Sequence, residues 1–243
     1  MNTSYMNQGS RSAMSTMAQS RVVIGYINRV YGWMCGGLAL TALIAYFGAQ
    51  SPTLVKLLRA NPVILIGIIV AELVLVGVLS FGQRKLNYAA SLLCFLGYAA
   101  LNGILFSMIF LVYTGGSIAS TFFVTSGTFG AMSLYGYVTK RDLTTIGNIC
   151  FMALIGLIIA SVVNIFIASS ALYWIVTYAG ILIFVGLIAY DTQKIKQMAM
   201  AMGNDLAETD TGKKYAIMGA LTLYLDFINL FILLLRIFGR GRD

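Results

Sequence analysis

Three acids lie inside stretches that are otherwise uncharged and apolar: Glu72 in Ile-Ile-Val-Ala-Glu-Leu-Val-Leu, Asp191 in Gly186-Leu-Ile-Ala-Tyr-Asp-Thr-Gln-Lys194, and Asp226 in Leu223-Tyr-Leu-Asp-Phe-Ile-Asn229. A charged side chain at mid-bilayer costs on the order of 2.5–3.5 kcal/mol on insertion scales, so such residues face a bundle interior and usually mark an ion or proton route. The chain has no histidine. That removes Ser-His and Cys-His nucleophiles, His-ligated zinc or haem, and the imidazole pH switch. Proton-linked behaviour must therefore use carboxylates, and two that lie close together titrate as a coupled pair. Their hard oxygens suit Ca²⁺, or a hydrated cation in passage, rather than a tightly bound metal. Each acid also has a plainer reading: Asp226 and Glu72 as hydrogen-bonding residues that fix helix contacts, Asp191 as an interfacial acid.

The elements that must position these acids follow from composition. Of 243 residues, 59% are hydrophobic and 10% charged, and the mean hydropathy is +0.87. Soluble domains carry roughly 25% charged residues, so the chain is expected to be an integral membrane protein. The formal charge of +8, from 16 basic and 8 acidic residues, is then a topology signal and not a sign of nucleic-acid binding. Residues 1–29 read as a polar tail rather than a signal peptide, with Val30 to Ala49 as the first, uncleaved span. Since a spanning helix needs roughly 20 apolar residues, the uncharged intervals divide the remainder. A second span covers about 62–83. Residues 86–139 hold two spans, separated at Tyr113-Thr-Gly-Gly-Ser117, and residues 143–190 hold two more, separated near Ala168-Ser-Ser170. The last covers 215–235. Seven segments make one bundle over 30–238, followed by a short basic tail, 239–243. The small-residue pairs Gly32/Gly36 and Gly127/Ala131 suggest close helix contacts. Cys35, Cys94 and Cys150 read as small packing residues.

Lys and Arg set the orientation. With the amino terminus cytoplasmic, Arg11, Arg21 and Arg29, then Arg84 and Lys85, Lys140 and Arg141, and Lys194, Lys196, Lys213 and Lys214 fall inside. Lys56 and Arg59 fall outside. So do Arg236, Arg240 and Arg242 if the seventh segment crosses completely; a re-entrant segment would remove that misfit. Asp205, Glu208 and Asp210 belong to a solvated loop before the seventh segment.

In that segment Gly219, Thr222, Asp226, Asn229 and Arg236 recur at helical spacing and form one polar stripe, which places the helix at the centre of the bundle. Asp191 stands where a helix ending there would oppose an acid, so either the helix runs on or a cation such as Arg84 answers it.

The stretches Phe184 to Ile195 and Ala220 to Gly239, with Tyr31-Gly-Trp-Met34 and Gly130 to Tyr137, resemble the Bax inhibitor-1 family, particularly its bacterial inner-membrane members. The resemblance spans nearly the whole chain. It implies an all-α membrane fold of seven transmembrane helices, two three-helix layers around a central C-terminal helix. It also implies a pH-sensitive Ca²⁺ leak gated by paired aspartates, which fall here on Asp191 and Asp226. A family arginine in the second helix latches the cytoplasmic mouth by pairing with the acid matching Asp191. Counted from Glu72 that position is Gln83; the candidate latch is Arg84, one residue on and about 100° further round the helix. Some relatives modulate a membrane-bound quality-control protease, so a non-conducting interaction protein is the rival expectation.

Intramembrane aspartyl proteases also carry a Tyr-Asp motif and a second aspartate. Their second motif is Gly-x-Gly-Asp, whereas Leu223-Tyr224-Leu225 precedes Asp226 here, so no enzymatic activity is expected. The expected partners are the bilayer, Ca²⁺ and protons, with no cofactor. The sequence leaves the oligomeric state open.

Overall fold

The computed structural model describes residues 3–81, 86–202 and 209–242, with side chains from Ser20 onward except that of Phe81. Gln83, Arg84, Lys85, Asp205 and Glu208 lie outside the described residues. Helices account for every extended element among those described: α1 (Thr3–Ala49), α2 (Pro52–Ala60), α3 (Pro62–Phe81), α4 (Tyr88–Phe106), α5 (Ile109–Val112), α6 (Gly115–Val138), α7 (Thr144–Ile167), α8 (Ser170–Met202) and α9 (Asp210–Phe238). The chain is an all-α membrane protein.

Helix ends fall where polar residues can satisfy free backbone groups. Ser51 caps α2, with Pro52 at its first position. Asn87 Oδ1 accepts from Ala90 N at 2.8 Å at the start of α4, and Thr114 and Thr209 cap α6 and α9. At the end of α7, Ala168 adopts the left-handed region (φ 52°), while Asn164 Oδ1 accepts from Ser169 N at 3.0 Å. Both polar breaks expected from sequence, Tyr113 to Ser117 and Ala168 to Ser170, coincide with these capped ends.

Six helical stretches are long and apolar enough to cross a membrane, at Ser20–Ala49, Pro62–Ser80, Tyr88–Val112, Thr144–Ile167, Ser170–Met202 and Asp210–Phe238. Seven were expected. The difference is α6, which has 24 residues and no charge but whose many Gly, Ser and Thr residues make it too polar to join the six. The first span also begins earlier than Val30. Its helix is continuous from well upstream, and Val23, Tyr26 and Ile27, placed by sequence in the polar tail, are buried in the core.

The last helix is the best enclosed of the six. Of its apolar window 72% is buried, against 6% for Pro62–Ser80 and none for Thr144–Ile167. α9 packs against α1, α4, α6 and α8; α3 packs on α4 and α4 on α1, while α7 and α6 both pack on α8. The outward faces carry large apolar side chains such as Val63, Leu73, Phe123, Ile165 and Phe166. Such a surface suits hydrocarbon rather than water.

Close helix contacts do occur at glycines, but not at the two pairs singled out by spacing. Gly32, Gly36 and Gly127 face open space, whereas a Cβ at Gly136 would collide with the Ala189 carbonyl and one at Gly147 with the Tyr190 ring. A four-residue interval marks a face without saying whether a neighbour covers it. The pair that matters brings α6 and α7 onto α8 immediately beside Asp191.

α9 is one unbroken helix from Asp210 to Phe238. It begins at the end of the bundle carrying the basic loops, where Lys214 Nζ donates to Leu86 O at 3.4 Å. It ends beside Tyr113 at the opposite, C-terminal end. Its 29 residues span about 43 Å at 1.5 Å per residue, more than the roughly 30 Å hydrocarbon core. Residues beyond it dock as an extended strap: Tyr113 and Gly241 form an antiparallel bridge, Thr114 N donates to Arg240 O at 3.0 Å and Arg242 N to Val112 O at 2.9 Å.

Candidate functional site

α8 and α9 bring Asp191 and Asp226 together. Asp191 lies inside α8, which runs on to Met202, so the acid does not oppose a helix end. Asp226 is 5% exposed, and the two carboxyl groups lie within hydrogen-bonding reach of each other. Asp226 Oδ2 has no protein donor. Carboxylate oxygens only accept, so the pair stays in contact when one of the two carries a proton to donate across it.

Two cavities meet at Asp191, and Asp226 lines one of them. One of about 920 Å³ extends toward the C-terminal end and is lined by Asp191, Asp226, Thr222, Asn229 and Arg236 among others. The other, about 370 Å³, opens toward the basic loops and is lined by Asp191, Thr222, Gly219, Tyr26 and Tyr215. Ser80, Asp191, Lys194 and Thr222 border both. All five residues of the polar stripe thus face these cavities, and the fourteen steps from Thr222 to Arg236 cover about 21 Å. Thr222 Oγ1 donates to Met218 O at 3.2 Å, and Asn229 Nδ2 donates to Leu225 O at 2.8 Å. With donors turned back onto the helix, the oxygen lone pairs are what these side chains can offer a cation. At the far end the Arg236 guanidinium lies 5.2 Å from the centre of the Tyr173 ring, a cation–π contact.

Glu72 is placed elsewhere. It lines neither cavity, and its charge acts on Tyr98 and Tyr224, on the opposite side of α9. Its Oε1 is buried without a partner. The three acids singled out by sequence therefore divide into a pair and a separate residue. The proposed latch, Arg84, lies outside the described residues.

Lys194 was read from sequence only as an orientation signal. It stands three residues after Asp191, on the same helix face; its charge acts on Asp191, and its ammonium sits 5.7 Å from the Tyr190 ring centre. The i,i+3 spacing was the available clue. Ser80 and Tyr26 gave no such signal, because nothing in an apolar run says which polar residue meets a neighbouring helix. Gln193 anchors α8 at this end: its Oε1 accepts from Leu143 N at 2.9 Å and its Nε2 donates to Arg141 O at 2.8 Å. Among the described residues no three of the His, Cys, Asp and Glu side chains converge as a metal centre.

The family model described as "Inhibitor of apoptosis-promoting Bax1" matches residues 23–243. The chain is 56% identical over 217 residues to the inner membrane protein YbhL of Escherichia coli (strain K12), covering 89% of this chain and 92% of that protein. It is 45% identical over 218 residues to the uncharacterized protein RP147 of Rickettsia prowazekii, covering 90% of each. With an uncharacterized protein of Deinococcus radiodurans the identity is 39% over 239 residues, 98% of each chain.

Proposed function

The chain belongs to the Bax inhibitor-1 family, and on that premise we propose that it is a multi-pass inner-membrane cation leak, with Ca²⁺ as the transported ion and Asp191 and Asp226 as its pH-sensitive gate. The amino terminus is cytoplasmic, since Lys and Arg concentrate in the loops at that end. α6 serves as the remaining crossing. The packing of α1, α3 and α4 on one side and of α6, α7 and α8 on the other supports two three-helix layers enclosing α9.

The observation that carries this reading is the carboxyl contact of Asp226 with Asp191, the acid that borders both cavities. A proton shared between the acids favours contact; its loss leaves two like charges that separate, and it leaves hard oxygens able to replace part of a cation's hydration shell. Acid therefore shifts the population toward the contact state and alkali away from it. Ca²⁺ flux into liposomes measured across pH tests the gate: Asp191→Asn and Asp226→Asn should each flatten the pH profile. Wild-type flux and pH dependence in both variants would overturn it.

Near contact is also what a shared-proton catalytic dyad requires. What favours a non-enzymatic role is the chain ahead of Asp226, where Leu223 and Tyr224 are fully buried. Leu223 and Leu225 stand at the two positions where the protease motif has glycines that let a substrate backbone approach. The second reading, modulation of a membrane-bound quality-control protease without conduction, draws support from α1, whose helix begins at Thr3, ahead of the span that starts at Ser20. Deleting residues 1–19 should abolish a partner effect while leaving flux intact.

A further inference from the structure

The three arginines at the C-terminal end run against the charge asymmetry of the rest of the chain, and the structure gives two of them a setting. Arg242 Nη1 donates to Phe110 O at 3.2 Å. Arg240 is exposed and borders a polar recess of about 430 Å³ with Thr114, Ser117 and Ser120. That recess adjoins the N-terminus of α6, where free N–H groups and the helix dipole favour an anion. Lys56 and Arg59 lie at the same end, and no acid does among the described residues.

Phe110 also lines a groove of about 340 Å³ whose walls are almost wholly apolar. Leu38 and Ala42 of α1 form one wall, Ala119 and Phe123 of α6 the other, and Phe227 and Phe231 of α9 the floor. α1 and α6 meet further toward the basic loops, where the Tyr31 and Phe129 rings lie 6.5 Å apart, and part around this groove. Along α6 it runs from Gly115 to Phe123, about 12 Å at 1.5 Å per residue, close to half of a roughly 30 Å hydrocarbon core.

We propose that this groove holds one acyl chain of an anionic phospholipid from the leaflet at the C-terminal end, with the lipid phosphate held by Arg242 and Arg240. An apolar groove opening on hydrocarbon is filled by acyl chains, and charge complementarity at its rim selects the headgroup. Each Lys or Arg near an anionic membrane surface favours it roughly fivefold, so the two arginines give a preference for anionic over zwitterionic lipid on the order of thirtyfold. This site is independent of the carboxylate gate.

The test uses the full chain in vesicles of mixed phosphatidylglycerol and phosphatidylcholine. One lipid at a time carries a photoactivatable acyl chain, and labelled peptides are mapped by mass spectrometry. α7, which faces hydrocarbon along its length, is the internal reference for non-specific contact. The phosphatidylglycerol probe should label Ile109–Phe123 and Phe227–Phe231 several-fold more than α7. Ala119→Trp, which fills the groove, should bring that labelling down to the α7 level. Arg240→Gln with Arg242→Gln, both surface changes, should equalise the two lipids without displacing the acyl chain. Labelling no greater than on α7, or an unchanged lipid preference in the double arginine variant, would overturn the proposal.

Discussion

Tyr224 and Asp226 are two residues apart on α9 and so point about 200° away from each other at nearly the same depth. The Tyr224 hydroxyl and its partner Thr41 are both hydrogen-bonded. The tyrosine hydroxyl lies 2.7 Å from Thr41 Oγ1, and Thr41 Oγ1 is within donating reach of the carbonyls of Ala99 at 2.8 Å and Gly37 at 3.0 Å. The rings of Phe95 and Tyr98 stand edge-on to Tyr224 at 5.9 and 5.7 Å. Around Asp226 the interacting polar side chain is another acid, a carboxyl oxygen has no protein donor, and one cavity opens on Asp226 while a second reaches its partner Asp191. A satisfied buried network rigidifies and specifies a core, whereas an unanswered acceptor marks a place where a proton, water or cation must act. One helix thus carries a lock on one face and a site on the other.

Tyr224→Ala should have the largest effect on this contrast. Removing a fully buried aromatic costs about 3–5 kcal/mol, so thermal unfolding in detergent should fall steeply. Asp226→Asn should change stability by less than about 1.5 kcal/mol, because the new amide can donate to Asp191. Equal losses would erase the distinction between lock and site. Next comes Tyr224→Phe, which keeps the rings and removes the bond to Thr41. A loss of about 1 kcal/mol is expected, with the pH profile of flux unchanged.

Glu72→Gln sharpens the boundary between the regions. Glu72 neighbours the Tyr98 and Tyr224 side, so the variant should alter unfolding slightly and leave flux against pH as in wild type.

The smallest effect belongs to Asp142, at the solvent end of α7. Its Oδ1 accepts from Thr144 N at 2.9 Å and from Thr144 Oγ1 at 2.6 Å, and these bonds hold its carboxyl below the usual range. A depressed folded value stabilises above the unfolded pKa, near 3.9, and the contribution is lost as pH falls through the folded value. Hydrogen exchange in the first turn of α7 should rise in strong acid, and Asp142→Ala should produce the same increase near neutral pH.

The Asp226 side of this contrast is legible in the sequence and the Tyr224 side is not, and the gaps have physical causes. The uncharged intervals located the helix ends because capping residues sit in the same polar breaks. The stripe from Gly219 to Arg236 was readable because α9 mixes polar with apolar residues, so its period shows. α3 is apolar all round apart from Glu72, and a helix without a polar face does not reveal which side meets a neighbour. Glu72 could therefore be found but not placed. The upstream extension of the first span does leave a trace in the sequence: Val23, Tyr26, Ile27 and Val30 follow an i, i+3, i+4, i+7 pattern, offset by the arginines around them. The close contacts at Gly136 and Gly147 depend on where Ala189 and Tyr190 lie on another helix, which spacing within one segment does not encode.

The central claim is that the pH response resides on the Asp226 face of α9 and not on the Tyr224 face. Ca²⁺ flux across pH, measured side by side for wild type, Asp226→Asn and Glu72→Gln in one lipid mixture, tests it most directly. Glu72→Gln should follow the wild-type curve while Asp226→Asn is flat. A flat curve for Glu72→Gln together with a wild-type curve for Asp226→Asn would contradict it.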